Sequence, residues 1–267
     1  MCAQELNHSS VTPRFKRDEV PLTLLASYPR IRPPLTPGHE SRYVEEYRRN
    51  RSGIGGLFAT VAFLESWMHR TIANGAPRSR ILELGAGTLN HIKYEPPVEV
   101  YDVVEPFRAL WDDSPYRTRV TTFYGDLGEI PDDHLYDRIL SIAVLEHLTD
   151  LPRIVARSGR LLAKDGQFQA GIPTEGGILW GLAWRTTTGF AYRLRTGLSY
   201  ATVMHHEHVN TADEILAITR YFFTQVRVRR FPVPLKHLSF YSVIEASRPR
   251  LTRCTEYAQP HTETVQR

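Results

Sequence analysis

"RILELGAGTLN", residues 80–90, decides how the chain folds. "RILEL" is a short, mostly apolar run that reads as a strand. Gly85 and Gly87 follow with one residue between them, and a helix is expected to begin just beyond. Glycine accepts the unusual dihedrals of such a turn, and without a Cβ it lets a ligand approach the backbone. Alone, the pair fits either a tight strand-to-helix turn or a cradle for a nucleotide-like cofactor. A dinucleotide fingerprint would place a third glycine at position 90, where the chain has Asn90, and this disfavours a pyrophosphate ligand.

Working outward, short strand-like runs alternate with helical or loop segments. "VEVYDVV" (98–104), "RVTTFY" (119–124), "YDRILSI" (136–142) and "QFQAGI" (167–172) follow the first strand. A helix is expected from about Asp150, with Pro152 in its first turn, to Ala163. Before the first strand, Leu57, Val61, Leu64 and Met68 recur at helical spacing, and the run stops at Asn74-Gly75 with Pro77 just beyond. This alternation predicts a parallel sheet with helices on both faces. The end differs. "TADE" (211–214) is a capping box opening a helix through about Tyr221. The runs 224–231 and 238–246 then lie too close for a parallel crossover, so the sheet closes with an antiparallel strand.

Composition narrows the function classes. The net charge is +4, and only four of the 33 basic residues are lysines (Lys16, Lys93, Lys164, Lys236). No dense basic cluster marks a dedicated nucleic-acid binder. Cys2 and Cys254 stand near opposite ends, with neither a disulfide framework nor metal-ligand spacing. The first twenty residues have no apolar core like that of a signal peptide, and no run of about 18 apolar residues suggests a membrane span. A cytoplasmic protein is expected. Residues 1–42, rich in proline, read as an irregular arm; 43–247 form the main domain, and 248–267 a flexible polar tail.

Two acids give the glycine turn a context. Glu105 ends the second strand, twenty residues after Gly85, where a carboxylate can accept from both ribose hydroxyls of an adenosine. Asp102 is a rival that should point into the packing. Asp126, in "YGDL", can accept from an adenine amino group, and the backbone of Leu127 can meet the ring; a turn or N-cap role fits Asp126 too.

Together "ELGAG", the strand-end Glu105, "GDL", "YDRILSIAVLEHL" and the closing hairpin resemble the class I S-adenosylmethionine-dependent methyltransferases, in their small-molecule branch. The likeness covers about residues 55–246. It implies a Rossmann-like, doubly wound, seven-stranded and mostly parallel α/β sheet with a terminal antiparallel strand. It also implies S-adenosylmethionine as cofactor. By the resemblance Glu83, Gly85, Ala86 and Gly87 meet the methionine end, Glu105 the ribose, and Asp126 and Leu127 the adenine. Ser141, Ile142 and Ala143 flank the cofactor where the fourth strand ends. The family's frequent third glycine is Leu89 here.

A nicotinamide-dependent oxidoreductase would share the glycines and Glu105. It would also want a group such as a Tyr-x-x-x-Lys pair, and none of the four lysines follows a tyrosine at that spacing. A non-catalytic cofactor-binding protein on the same scaffold is the other alternative.

For the methyl acceptor, "SIAV" (141–144) stands where relatives that methylate base amines carry an Asn/Asp/Ser-Pro-Pro-aromatic tetrapeptide, so base-amine methylation is not expected. The insertion 174–210 is long enough to be a lid. Its Trp180, Trp184, Phe190, Tyr192 and Tyr200 offer apolar walls, and Arg185, Arg193 and Arg195 suit an anionic group. "GILWGLAW" also suits a membrane surface or a lipid tail. His205, His206 and His208 lie at the mouth of the site, close enough to suggest a metal, but no distant ligand joins them and none is expected. One histidine acting as base fits better, with His208 first because similar methyltransferases often carry a histidine just ahead of this helix. A helix-entry or hydrogen-bonding role fits it as well. The expected reaction is methyl transfer to oxygen or nitrogen of a small-molecule or sugar-type acceptor, lipid-linked in one reading.

Overall fold

The computed structural model describes residues 22–42, 57–74 and 79–258. Cys2, the first half of the arm, the expected domain start at 43, Gly75 and Pro77 of the helix exit, and the last residues of the tail lie outside them. Residues 37–42 are helical; the other helices, in chain order, are α1 (Leu22–Leu25), α2 (Leu57–Ala73), α3 (Leu151–Arg160), α4 (Ile178–Trp184), α5 (Phe190–Thr196), α6 (Tyr200–Glu207), α7 (Ala212–Phe222) and α8 (Leu251–Ala258). The strands are β1 (Arg80–Leu84), β2 (Val100–Val104), β3 (Thr122–Tyr124), β4 (Tyr136–Ile142), β5 (Leu162–Pro173), β6 (Phe223–Pro232) and β7 (Ser239–Pro249).

The strands form one seven-stranded sheet in the order β3-β2-β1-β4-β5-β7-β6. Strands β1 to β5 pair in parallel, and β7 is antiparallel to both β5 and β6, as the short link before it requires. Alternate residues of each strand serve opposite faces. Leu82, Ile139, Phe168, Ala170 and Ile244 pack under α3 and α7, while Ile81, Leu140 and Val243 pack with Ile72 of α2. The sheet order reverses between β1 and β4, which opens the crevice where ligands of such sheets bind.

Two expectations fail. No α-helix follows the glycine turn: the link from Leu84 to Val100 holds only a single 3-10 turn, Ile92–Tyr94. Leu89 has φ 65°, and a left-handed residue cannot continue a right-handed helix. Pro96 and Pro97 use up the rest of the link. A left-handed Leu89 costs about 1–2 kcal/mol; its side chain is fully buried, which returns about 1.5–3 kcal/mol. The left-handed bend at Leu89 is therefore held by core packing. Beneath it His91 pairs with Glu95 at 2.7 Å, and Glu95 also pairs with buried Arg138 of β4, tying the link to the sheet.

The expected flexible tail is ordered as far as it is described. Helix α8 packs on α3 with Cys254 fully buried and Tyr257 edge-on to Phe222, and Arg250 donates to the carbonyls of Tyr221 and Phe223 at 3.1 and 2.7 Å. Leu251, Cys254 and Tyr257 recur at three-residue spacing, but two turns are too short a segment for that period to stand out among its polar neighbours. Burial pushes the Cys254 thiol up to about 11.

Candidate functional site

The glycine turn, the loop after β4 and the end of β2 meet at the C-terminal edge of the sheet. Gly85 and Gly87 both have left-handed dihedrals, φ 66° and 53°. Their surroundings differ. A Cβ on Gly85 would lie 2.5 Å from Cγ2 of Val144, whereas one on Gly87 would meet nothing within 4 Å. Gly85 is therefore required by packing against the β4 loop, and Gly87 is the glycine that faces open space. Ala86 between them is buried.

Glu105 is buried at the end of β2, and both carboxylate oxygens accept from backbone. Gly87 N–H donates to Oε2 at 2.8 Å, and Phe107 N–H donates to Oε1 at 3.0 Å. Each carboxylate oxygen can accept a second hydrogen bond, so a vicinal diol could still bind. The acid thus fixes the turn and keeps further acceptor capacity. Asp102, the rival, points into the packing and accepts from the Tyr136 hydroxyl at 2.8 Å. Asp126 caps a 3-10 turn, its Oδ1 accepting from Gly128 N–H at 2.7 Å, yet its side chain is exposed. Leu127 beside it is buried.

Ser141 is fully buried, with no hydrogen-bond partner for its hydroxyl. Ile142 is half-buried, and Ala143 is exposed with φ 53°, its N–H donating to Gly171 O at 2.8 Å. Glu83 is set apart from these residues. Its carboxyl is buried and accepts from the Tyr101 hydroxyl at 2.6 Å; burial raises its pKa against the pull of His91 and Arg138. Glu105, Gly87, Ala143 and the unpartnered Ser141 hydroxyl are compatible with an adenosine-bearing cofactor.

The three histidines are not equivalent. His205 is exposed, and His206 Nδ1 donates to Pro33 O at 2.7 Å, so both belong to the outer surface of α6. His208 lies inward, with Nδ1 3.0 Å from Glu175 Oε1 and its ring edge-on to His147 at 4.7 Å. Burial works to lower the His208 pKa, but the Glu175 carboxylate, helped by Glu146 and Glu207, raises it above the ordinary value. His147 goes the other way: burial and the charge of His208 lower it to about 4. Glu146 is fully buried with one oxygen unpartnered, and burial pushes its carboxyl up to about 7. Such opposed shifts in one cluster characterise acid-base sites.

Sequence reading missed Glu146 and Glu175, because an acid's burial and the approach of α6 to the β5 loop have no local signature. It also missed what holds the cluster. Arg32 donates to His147 O at 2.7 Å and to His206 O and Glu207 O at 3.0 Å each. Arg30 binds Glu214 of the capping box and Val209 O, and the Tyr28 hydroxyl donates to Asn210 at 2.6 Å. Residues 28–33 thus strap the loop after β4 to the segment carrying His208.

Neutralising Glu175 tests the dyad directly. In Glu175→Gln the His208 imidazole should titrate at lower pH than in the parent, because burial remains while the nearest negative charge is gone. Nuclear magnetic resonance of the histidine ring protons reads the two midpoints. An unchanged or higher midpoint would dissolve the pairing.

No family model matches the chain, and no curated protein sequence does. Solved structures do. An S-adenosylmethionine-dependent methyltransferase of Thermotoga maritima, a possible histamine N-methyltransferase, is 18% identical over 77% of this chain and 96% of its own, with a TM-score of 0.55. A possible exported protein from Bordetella parapertussis is 12% identical over 85% of this chain and 78% of its own, with a TM-score of 0.54. With the strand order above, the chain has the class I S-adenosylmethionine-dependent methyltransferase fold.

Proposed function

We propose that the protein binds S-adenosylmethionine and methylates an oxygen or nitrogen of a small-molecule or sugar-type acceptor in the cytoplasm. The observation that carries the reading is Glu105, a buried carboxylate clamped to the Gly87 turn with acceptor capacity left for two hydroxyls. In this reading Glu105 holds the ribose, Asp126 and Leu127 the adenine, the 85–87 backbone the amino-acid end, and Ser141 to Ala143 the flank. Bound there, the cofactor supplies a methyl group on a sulfonium, whose displacement needs an aligned nucleophile and a dry site.

The chain's own residues meet those needs. Trp180 lies edge-on to Tyr241 at 5.8 Å, and Trp184 and Tyr192 pack on Tyr200 at 6.1 and 5.2 Å, which gives the lid an aromatic inner wall. His208 takes the proton of a hydroxyl acceptor, while the Glu175 carboxylate beside its ring stabilises the imidazolium that forms. An amine acceptor needs only to arrive unprotonated, and then His208 serves to orient it.

Calorimetry with S-adenosylhomocysteine tests the reading before any acceptor is known. Saturable one-to-one binding is expected, and Asp126→Ala should weaken it by about tenfold at most, since water competes at an exposed acid. Failure of the parent protein to bind would remove the methyltransferase reading. Incubation with methyl-labelled cofactor and fractionated metabolites then identifies the acceptor by mass spectrometry.

A further inference from the structure

The lid has two faces, and the proposed chemistry uses only the inner one. Trp180, Trp184 and Tyr192 turn toward Tyr241, Tyr200 and His39. On the other side stand Ile178, Leu182, Phe190 and Leu194, with 69%, 58%, 60% and 71% of their surface exposed. Single exposed apolar residues are ordinary, but four along one helical face, interrupted only by Thr186, are not. Steps of four residues overshoot an α-helical turn by about 40°, so such a row should spiral away. The wider π-turn at Arg185–Gly189, between α4 and α5, takes the overshoot back and keeps the row together. At its near end the row is extended by Leu235 and Leu238, also exposed, on a turn that packs against α4.

Charge identifies the occupant. From Gly176 to His206 the sequence has no aspartate or glutamate, yet Arg185, Arg193 and Arg195 are all exposed. A second copy of the chain would set arginine against arginine, which disfavours self-association. An apolar helical stripe bordered by arginines and free of acids has the chemistry of a helix lying in the interface of an anionic bilayer. Among the described residues no helix is long and apolar enough to cross a membrane, so the contact is peripheral.

We propose that the outer face of α4 and α5 docks on anionic lipid surfaces. The inference stands on the lid's exposed face and is independent of the methyltransferase reading. The full chain is floated with phosphatidylcholine vesicles and with vesicles in which about a third of the lipid is phosphatidylglycerol. It should partition to the second and not the first, and less as salt is raised. Leu182→Asp/Leu194→Asp should reduce partition by about tenfold or more, with an unchanged melting curve. If that pair unfolds the lid, Arg185→Glu/Arg193→Glu serves instead and should abolish the preference for phosphatidylglycerol. Equal binding to both vesicles, binding to neither, or variants that float like the parent would overturn the proposal. So would a concentration-dependent dimer that Leu182→Asp/Leu194→Asp dissociates, since the face would then belong to a second copy.

Discussion

Gly85→Ala is expected to destabilise the protein by about 2–5 kcal/mol, adding the left-handed penalty of about 1–2 to an overpacking penalty of about 1–3. Both parts are visible: φ at Gly85 is 66°, and the new methyl would sit 2.5 Å from Cγ2 and 2.8 Å from Cγ1 of Val144. Two controls separate them. Gly87→Ala shares the left-handed backbone but meets nothing within 4 Å, so it should lose only the dihedral part. Val144→Ala removes the obstruction, so adding Gly85→Ala to it should cost less than adding it to the parent. Urea denaturation of the four variants reads each difference. The reverse ordering is expected in cofactor binding: a methyl at Gly87 enters open space that the ligand needs, so Gly87→Ala should bind S-adenosylhomocysteine worse while folding better. If Gly85→Ala unfolds at the same urea concentration as Gly87→Ala, the packing role of Gly85 is wrong.

That contrast shows how far sequence could reach. "GAG" after a strand signals a turn because only backbone conformation is at stake, and conformation is local. Which glycine faces open space depends on where Val144 lands, some sixty residues later. The capping box at Thr211 was legible for the same reason: its two reciprocal bonds lie within four residues and form as expected, Thr211 N–H donating to Glu214 at 2.8 Å. The helix after Gly87 was misread because Leu89 has no left-handed signature; a buried core position holds it there, and burial is a tertiary fact. The arm shows the other limit. Prolines make residues 1–42 look irregular, yet the described part holds helical turns at 22–25 and 37–42, Leu24 and Leu25 enter the core, and Arg30 and Arg32 clamp the histidine cluster. Long-range bonds to backbone carbonyls leave no pattern in either segment.

Glu105→Ala should weaken S-adenosylhomocysteine binding by a hundredfold or more, about 3 kcal/mol for two charge-assisted hydrogen bonds. The effect should exceed that of Asp126→Ala because Glu105 is buried and Asp126 is not, so water cannot replace the lost carboxylate as easily. Glu105→Gln is the sharper probe. Its amide keeps the shape of the carboxyl but turns one acceptor into a donor, which must then face either Gly87 N–H or Phe107 N–H. A donor facing a donor forces the side chain or the turn to move, so Glu105→Gln should fall between the parent and Glu105→Ala. Both substitutions free the Gly87 N–H, so part of the affinity loss comes through a loosened turn. Circular dichroism melting separates that part, because a loosened turn also lowers the melting temperature. If Glu105→Ala binds like the parent, the ribose is held elsewhere and Glu105 serves the turn alone. A large affinity loss with little change in melting temperature assigns the carboxylate a direct contact, which its remaining lone pairs at the end of β2 can make.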